Sequence, residues 1–151
     1  MIERPLLLCY DGSEDAKNAI REAASMFGPR HALVLAVWQD AAALPALAWA
    51  GASIPDLDEV FAAARDGAGR IAEEGVEVAA AAGLDATPIV AEAKGPIWAA
   101  VGEAADTHDV EAVVVGSRGL SGVKSVLLGS VSNGIVHHAR RPTVVVRRAD
   151  G

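Results

Sequence analysis

LLLCYDGSEDAKNAIREAASMFGP, residues 6–29, reads as a strand, a turn and a helix in that order. Leu6 to Tyr10 is a short continuous apolar run, the pattern of a strand covered on both faces in a parallel sheet. Asp11-Gly12-Ser13 ends it with turn residues. Ser13 reads as a helix N-cap, and Glu14 and Asp15 occupy the first turn, where the helix dipole favours negative charge. Ala16, Ala19, Ile20, Ala23, Ala24 and Phe27 then fall on one stripe, and Gly28-Pro29 stops the helix. A doubly covered strand followed at once by an amphipathic helix is the opening half of a β-α-β unit.

The rest of the chain repeats that order. Ala32 to Trp38 is a second apolar strand. Residues 40–55 contain Pro45, Gly51 and Pro55 and are expected to form a long connection, with room for one short helix. A helix is expected from near Asp56, with Leu57, Val60, Phe61, Ala64, Ala68 and Ile71 inward; Gly67, Gly69 and Gly75 weaken it, and Gly83 marks its stop. Thr87 to Ala91 is a third strand. Gly95-Pro96 opens a third helix with proline in its first turn, carrying Ile97, Val101, Ala104 and Ala105 inward. Ala112 to Val115 is the fourth strand, a helix follows from about Ser130 to Arg140, and Thr143 to Arg147 is the fifth strand. Strict alternation specifies an α/β fold with a parallel sheet and right-handed crossovers, and no linker or repeat interrupts it, so one domain over residues 1–151 is expected. Ligands of open parallel sheets bind beyond the carboxyl ends of the strands, where the strand order switches. Asp11-Gly12, Val37-Trp38 and the segment from Gly116 onward belong to that edge.

Bulk properties narrow the function classes. The 151 residues are 52% hydrophobic and carry a net charge of −7, which argues against broad binding to nucleic acid or to an anionic membrane surface. Aromatic residues make up 4%, with no row of them to stack on single-stranded bases. The apolar stretches are broken by Gly, Pro, Asp or Glu before they reach the length of a membrane span, and the N-terminus lacks the pattern of a signal peptide. A cytoplasmic protein is expected. The single cysteine, Cys9, excludes an internal disulfide and a cysteine-rich metal site, and it reads as a buried, inert thiol.

The loop after the fourth strand, GSRGLSGVKSVLLGS (residues 116–130), bears the strongest functional signal. It is neither a P-loop, since Lys124 is not preceded by glycine, nor the G-x-G-x-x-G of dinucleotide folds. Its pattern is G-x2-G-x9-G-S. Gly116 and Gly119 flank a turn at a strand end, and Gly129-Ser130 begins the last helix, whose first amides, those of Ser130, Val131 and Ser132, are available to an anion. Ser130 and Ser132 add hydroxyls, and Arg118 and Lys124 add charge. Taken separately, the glycines are ordinary turn formers and the serines ordinary helix starters. Together, at this spacing and at the switch edge, they point to a polyphosphate held from two sides.

This stretch resembles the G-2x-G-9x-G-(S/T) motif of ATP-binding universal stress proteins. LLLCYDGSEDAKNAIREAA resembles that family's opening strand, turn and helix, ALVLAV its second strand, and VSNGIVHHARRPTVVVRR its last helix and strand. The resemblance implies a doubly wound five-stranded parallel sheet of order 3-2-1-4-5, helices on both faces, binding ATP or a related adenine nucleotide, with any Mg²⁺ arriving on the nucleotide. It places Asp11 near the ribose or the metal-bound phosphates and the backbone at Val37 on the adenine edge. Gly116, Arg118 and Gly119 run beside the ribose and phosphates, and Gly129, Ser130, Val131 and Ser132 lie on the phosphates. It also implies a homodimer through the edge strand Thr143 to Arg147, unless Arg147 and Arg148 shield that edge. A regulatory module of the stress response is the expected role. Slow ATP hydrolysis or self-phosphorylation, and an adaptor that uses cyclic AMP or no nucleotide, are the alternatives.

No side chain stands out as catalytic. None of the serines lies in a G-x-S-x-G elbow, and no His, Cys and Asp group has metal-ligand spacing. Asp11 is open to two readings, turn former or ligand contact. His137 and His138 read as a solvated helix C-terminus that complements the dipole. Trp38 and Trp98 read as packing residues, and Trp49 sits where its loop would cover a nucleotide.

Overall fold

Leu6, Leu7 and Leu8 are each fully buried, and successive side chains enter opposite layers: Leu6 and Leu8 pack with the first helix, Leu7 with the last two. That double burial is what a continuous apolar run requires. The computed structural model describes residues 3–39, 57–118 and 129–148. Within them five strands, β1 (Leu6–Cys9), β2 (His31–Trp38), β3 (Asp85–Glu92), β4 (Ala112–Gly116) and β5 (Thr143–Val146), alternate with four helices. The helices are α1 (Glu14–Phe27), α2 (Leu57–Ala81), α3 (Ile97–Thr107) and α4 (Ser130–His138). The sheet is parallel throughout, in the order β3-β2-β1-β4-β5, as expected. Leu6 pairs with Ala32 on one side and Ala112 on the other, so β1 is the central strand at which the order switches.

Two cores flank the sheet. Leu6, Leu8, Tyr10, Ala32, Val34 and Val114 meet α1 and α2 on one face. Leu7, Leu33, Leu35, Val113 and Val115 meet Val101 and Ala105 of α3 and Ile135 of α4 on the other. Helices therefore cover both faces. The start of α1 follows its sequence: Ser13 Oγ accepts from the amide of Ala16 at 3.1 Å, and Gly12 turns the chain at a φ of +85°.

Helix α2 forms where expected in spite of its glycines, and α3 starts one residue later than expected. Helix α2 runs through Gly67, Gly69 and Gly75 for 25 residues. At Gly75 a Cβ would lie 2.6 Å from Val34 Cγ1 and 2.8 Å from Tyr10 Cγ, so glycine there lets the helix press against the sheet. Tertiary packing outweighs the low helix propensity of glycine. Pro96 precedes α3 as its N-cap, one residue outside the first turn. The edge strand β3 spans Asp85–Glu92, longer than Thr87–Ala91, and tolerates Pro88 because only one of its sides is paired. The opposite edge, β5, ends at Val146 instead of Arg147. Residues 40–55, including Trp49, and the loop positions Gly119 and Lys124 lie outside the described residues. No described helix is long and apolar enough to cross a membrane.

Candidate functional site

The carboxyl ends of β1, β2 and β4 surround a cavity of about 410 Å³, within the range of about 300–1,000 Å³ common for small-molecule sites. Its floor and walls are apolar. Cys9, Leu35, Val37 and Val115 come from the strands, Ala68 and Ile71 from α2, and Ile97 and Val101 from α3. Its rim is polar and lies at the turn after β1 and at the junction of β4 with α4: Asp11, Ser117, Arg118, Ser130 and Ser132. An apolar chamber with polar groups gathered at one end suits a ligand that has a flat hydrophobic part and a charged part.

Every described residue singled out from sequence as a ligand contact lines this cavity: Asp11, Val37, Gly116, Arg118, Gly129, Ser130, Val131 and Ser132. Gly119 and Lys124 lie outside the described positions. The two halves of the glycine motif are tied together directly. The amide of Gly129 donates to the carbonyl of Ser117 at 2.7 Å, and the Ser132 hydroxyl is 3.2 Å from that carbonyl and 3.0 Å from the carbonyl of Gly129. The amide of Ser117 in turn donates to the carbonyl of Val146 at 2.9 Å, which anchors the β4 end to β5. Ser132 is 2% exposed, so its hydroxyl acts first as a clamp between β4 and α4. The glycines serve the same closeness: a Cβ on Gly129 would sit 3.3 Å from the Ser117 carbonyl oxygen, and one on Gly116 would sit 3.1 Å from the backbone oxygen of Asp15. Gly129 is the N-cap of α4 and has no side chain to cap it, so no side-chain cap occupies the first amides of the helix.

Asp11 forms the turn and also lines the cavity. Its Oδ1 accepts from the amide of Ser13 at 2.9 Å, forming the turn, while the residue remains partly exposed on the cavity wall. Burial, and secondarily the Asp11 carboxylate, push the Cys9 thiol up to about 12, so this cavity-lining sulfur is held neutral and unreactive. The Tyr10 hydroxyl donates to Glu74 Oε1 at 2.5 Å, joining the end of β1 to α2; burial and this hydrogen bond raise its pKa. Among the described residues no cluster of His, Cys, Asp and Glu could hold a metal ion.

Sequence reasoning missed two parts of the site. Ala68, Ile71, Ile97 and Val101 appeared in it only as inward helix positions, because periodicity separates inside from outside but not core from cavity wall. Asp15 appeared as an ordinary first-turn acid. In the fold it is 8% exposed, with Oδ2 3.7 Å from Arg118 Nε and Oδ1 3.6 Å from Arg148 Nε. Trp98, as expected, is a packing residue: it lies against Gly134 and stacks on His138 with ring centroids 4.1 Å apart.

A family model described as the universal stress protein family matches residues 3–147. A universal stress protein of Thermus aquaticus, described by its place in the 3′ region of a QAH/OAS sulfhydrylase, is 31% identical over 145 residues, covering 95% of this chain and 98% of the relative. Among solved structures, hypothetical protein MJ0577 matches with a TM-score of 0.78 at 19% identity, covering 100% of both chains. The universal stress protein from Archaeoglobus fulgidus in complex with dAMP matches with a TM-score of 0.61 at 19% identity, covering 96% of this chain and 98% of the other. A universal stress protein in complex with cAMP matches with a TM-score of 0.56 at 21% identity, covering 97% and 98%.

Proposed function

The chain belongs to the universal stress protein family, and from that premise we propose that it is an adenine-nucleotide-binding regulatory module of the stress response that holds ATP. In this reading residues 1–151 act as one domain in the cytoplasm. The observation that carries the reading is the convergence of both halves of the glycine motif with Asp11 and Val37 on one apolar cavity at the switch edge. The base enters between the strand ends and helices α2 and α3, where Val37 offers backbone groups to its edge and the apolar walls exclude water. The ribose and phosphates run along Asp11, Gly116 and Arg118, with Gly119 of the adjoining loop, toward Gly129. There the amides of Ser130, Val131 and Ser132 receive the phosphates at the positive end of α4. Mg²⁺ accompanies the phosphates instead of occupying a site built by the protein. Two solved proteins of the same fold carry dAMP and cAMP, which supports an adenine nucleotide as the ligand class.

The direct test is mass analysis of nucleotide released from freshly purified protein, followed by thermal stabilisation with ATP, ADP, AMP and cyclic AMP. A ligand that binds only the native state raises its stability, and the largest rise is expected with ATP. Gly129→Asp should abolish the effect, because a side chain there meets the Ser117 carbonyl and adds negative charge where the phosphates lie. No released nucleotide and no stabilisation by any of the four would refute the proposal. A largest response to AMP or cyclic AMP would refute ATP as the ligand while keeping the ligand class.

A further inference from the structure

Asp15 is the one acidic side chain of the described core that is shared between two arginines. Its neighbour Glu14 already supplies an exposed carboxylate to the first turn of α1, where it pairs with Lys17 at 3.4 Å. Asp15 instead turns inward against the end of β4. One oxygen faces Arg118, which lines the cavity, and the other faces Arg148, which follows β5. The Nε–oxygen distances of these ion pairs are 3.7 Å and 3.6 Å, and Oδ2 has no hydrogen-bond partner among the described residues. The Arg118 guanidinium is therefore attracted toward Asp15 without a hydrogen bond to Oδ2.

We infer that Asp15 is a specificity-determining residue that limits the negative charge the cavity accepts, by offsetting Arg118 at its polar rim. The buried Asp15 carboxylate offsets the Arg118 guanidinium at that rim, where Asp11 adds a second carboxylate. A carboxylate removed from water acts on its neighbours more strongly than an exposed one. A phosphate chain approaching Arg118 therefore competes with Asp15 for the same guanidinium and is repelled by the carboxylate behind it. A ligand of low charge meets little of this resistance, whereas a highly charged one needs a cation of its own. The inference rests on the reading of the cavity as a site for a phosphate-bearing ligand, and it adds the feature that discriminates among such ligands by charge.

The test uses the full chain and two probes, inorganic tripolyphosphate without metal and adenosine, each read by the rise in melting temperature. Asp15→Asn removes the charge with little change of shape, and Asp15→Ser repeats the measurement with a second side chain. Glu14→Gln removes the same charge one residue away. Both Asp15 variants are expected to bind tripolyphosphate several-fold more tightly than wild type, whereas Glu14→Gln matches wild type. The double variant Asp15→Asn with Arg118→Gln should lose most of the gain, and adenosine should act equally on wild type and Asp15→Asn. Equal tripolyphosphate responses in wild type and both Asp15 variants would overturn the inference, as would an equal gain in Glu14→Gln or one that survives loss of Arg118. A protein that ignores adenosine and released nucleotide but shows the Asp15-dependent gain refutes the nucleotide reading alone.

Discussion

Cys9 and Tyr10, adjacent at the end of β1, are held in their neutral forms by the fold. Cys9 is pushed up from 9.0 to about 12, first by burial and then by Asp11, and Tyr10 moves in the same direction through burial and its bond to Glu74. A group whose folded pKa lies above its unfolded value keeps its proton longer in the native state. Stability is therefore unaffected below the unfolded thiol pKa and falls as pH rises through the interval between 9.0 and about 12. Urea midpoints measured at about pH 8 and about pH 10.5, on either side of the ordinary thiol pKa, should show this loss. The loss should be smaller in Cys9→Ala, and a Cys9→Ala protein with an undiminished loss would contradict the assignment. The sequence showed that Cys9 lay in an apolar run, which was enough to call it inert. It did not show that the sulfur lines a cavity, because that depends on how far α2 and α3 stand from the strand ends. Arg118 presents the same contrast: its place beside the glycines was legible, whereas its pairing with Asp15 joins residues that the chain separates by the whole of β2, α2, β3, α3 and β4.

At the scale of elements, close approach decides what composition alone left open. Gly75 reads in sequence as a weak point of α2, yet it is where the helix meets Val34 and Tyr10. Gly134 serves α4 in the same way, for its missing Cβ leaves the space that the Trp98 ring of α3 occupies. Gly134→Ala is therefore expected to destabilise the protein by about 1–3 kcal/mol, the usual cost of overpacking a tight contact, even though alanine is the better helix former. Combining it with Trp98→Leu should recover part of the loss in a chemical denaturation cycle, and strict additivity would show that the two helices do not meet there. The ends of the elements were easier to read than their packing. Ser13 and Gly28 bound α1 as expected, because caps depend on local hydrogen bonds and dihedral angles.

For the whole molecule, the parallel sheet leaves two edges, β3 and β5. We propose the β5 edge, Thr143–Val146, as the homodimer seam. Val144 and Val145 are both partly buried, one in each core, so their side chains face the helix layers and pairing through the strand's free edge would use backbone groups. Sedimentation equilibrium should then give twice the 15.4 kDa chain mass, and a mass equal to one chain would exclude the dimer. The order of elements and the identity of the motif residues were determined by sequence alone, and the switch at β1 was implied by the family resemblance. Apolar periodicity, caps and glycine spacing are local properties, and parallel strands with short crossovers admit few topologies. Only the tertiary structure decided which inward residues line a cavity, that Ser132 clamps β4 to α4, and that Asp15 stands between two arginines. Those facts depend on distances between segments remote in sequence, and no local pattern encodes such distances.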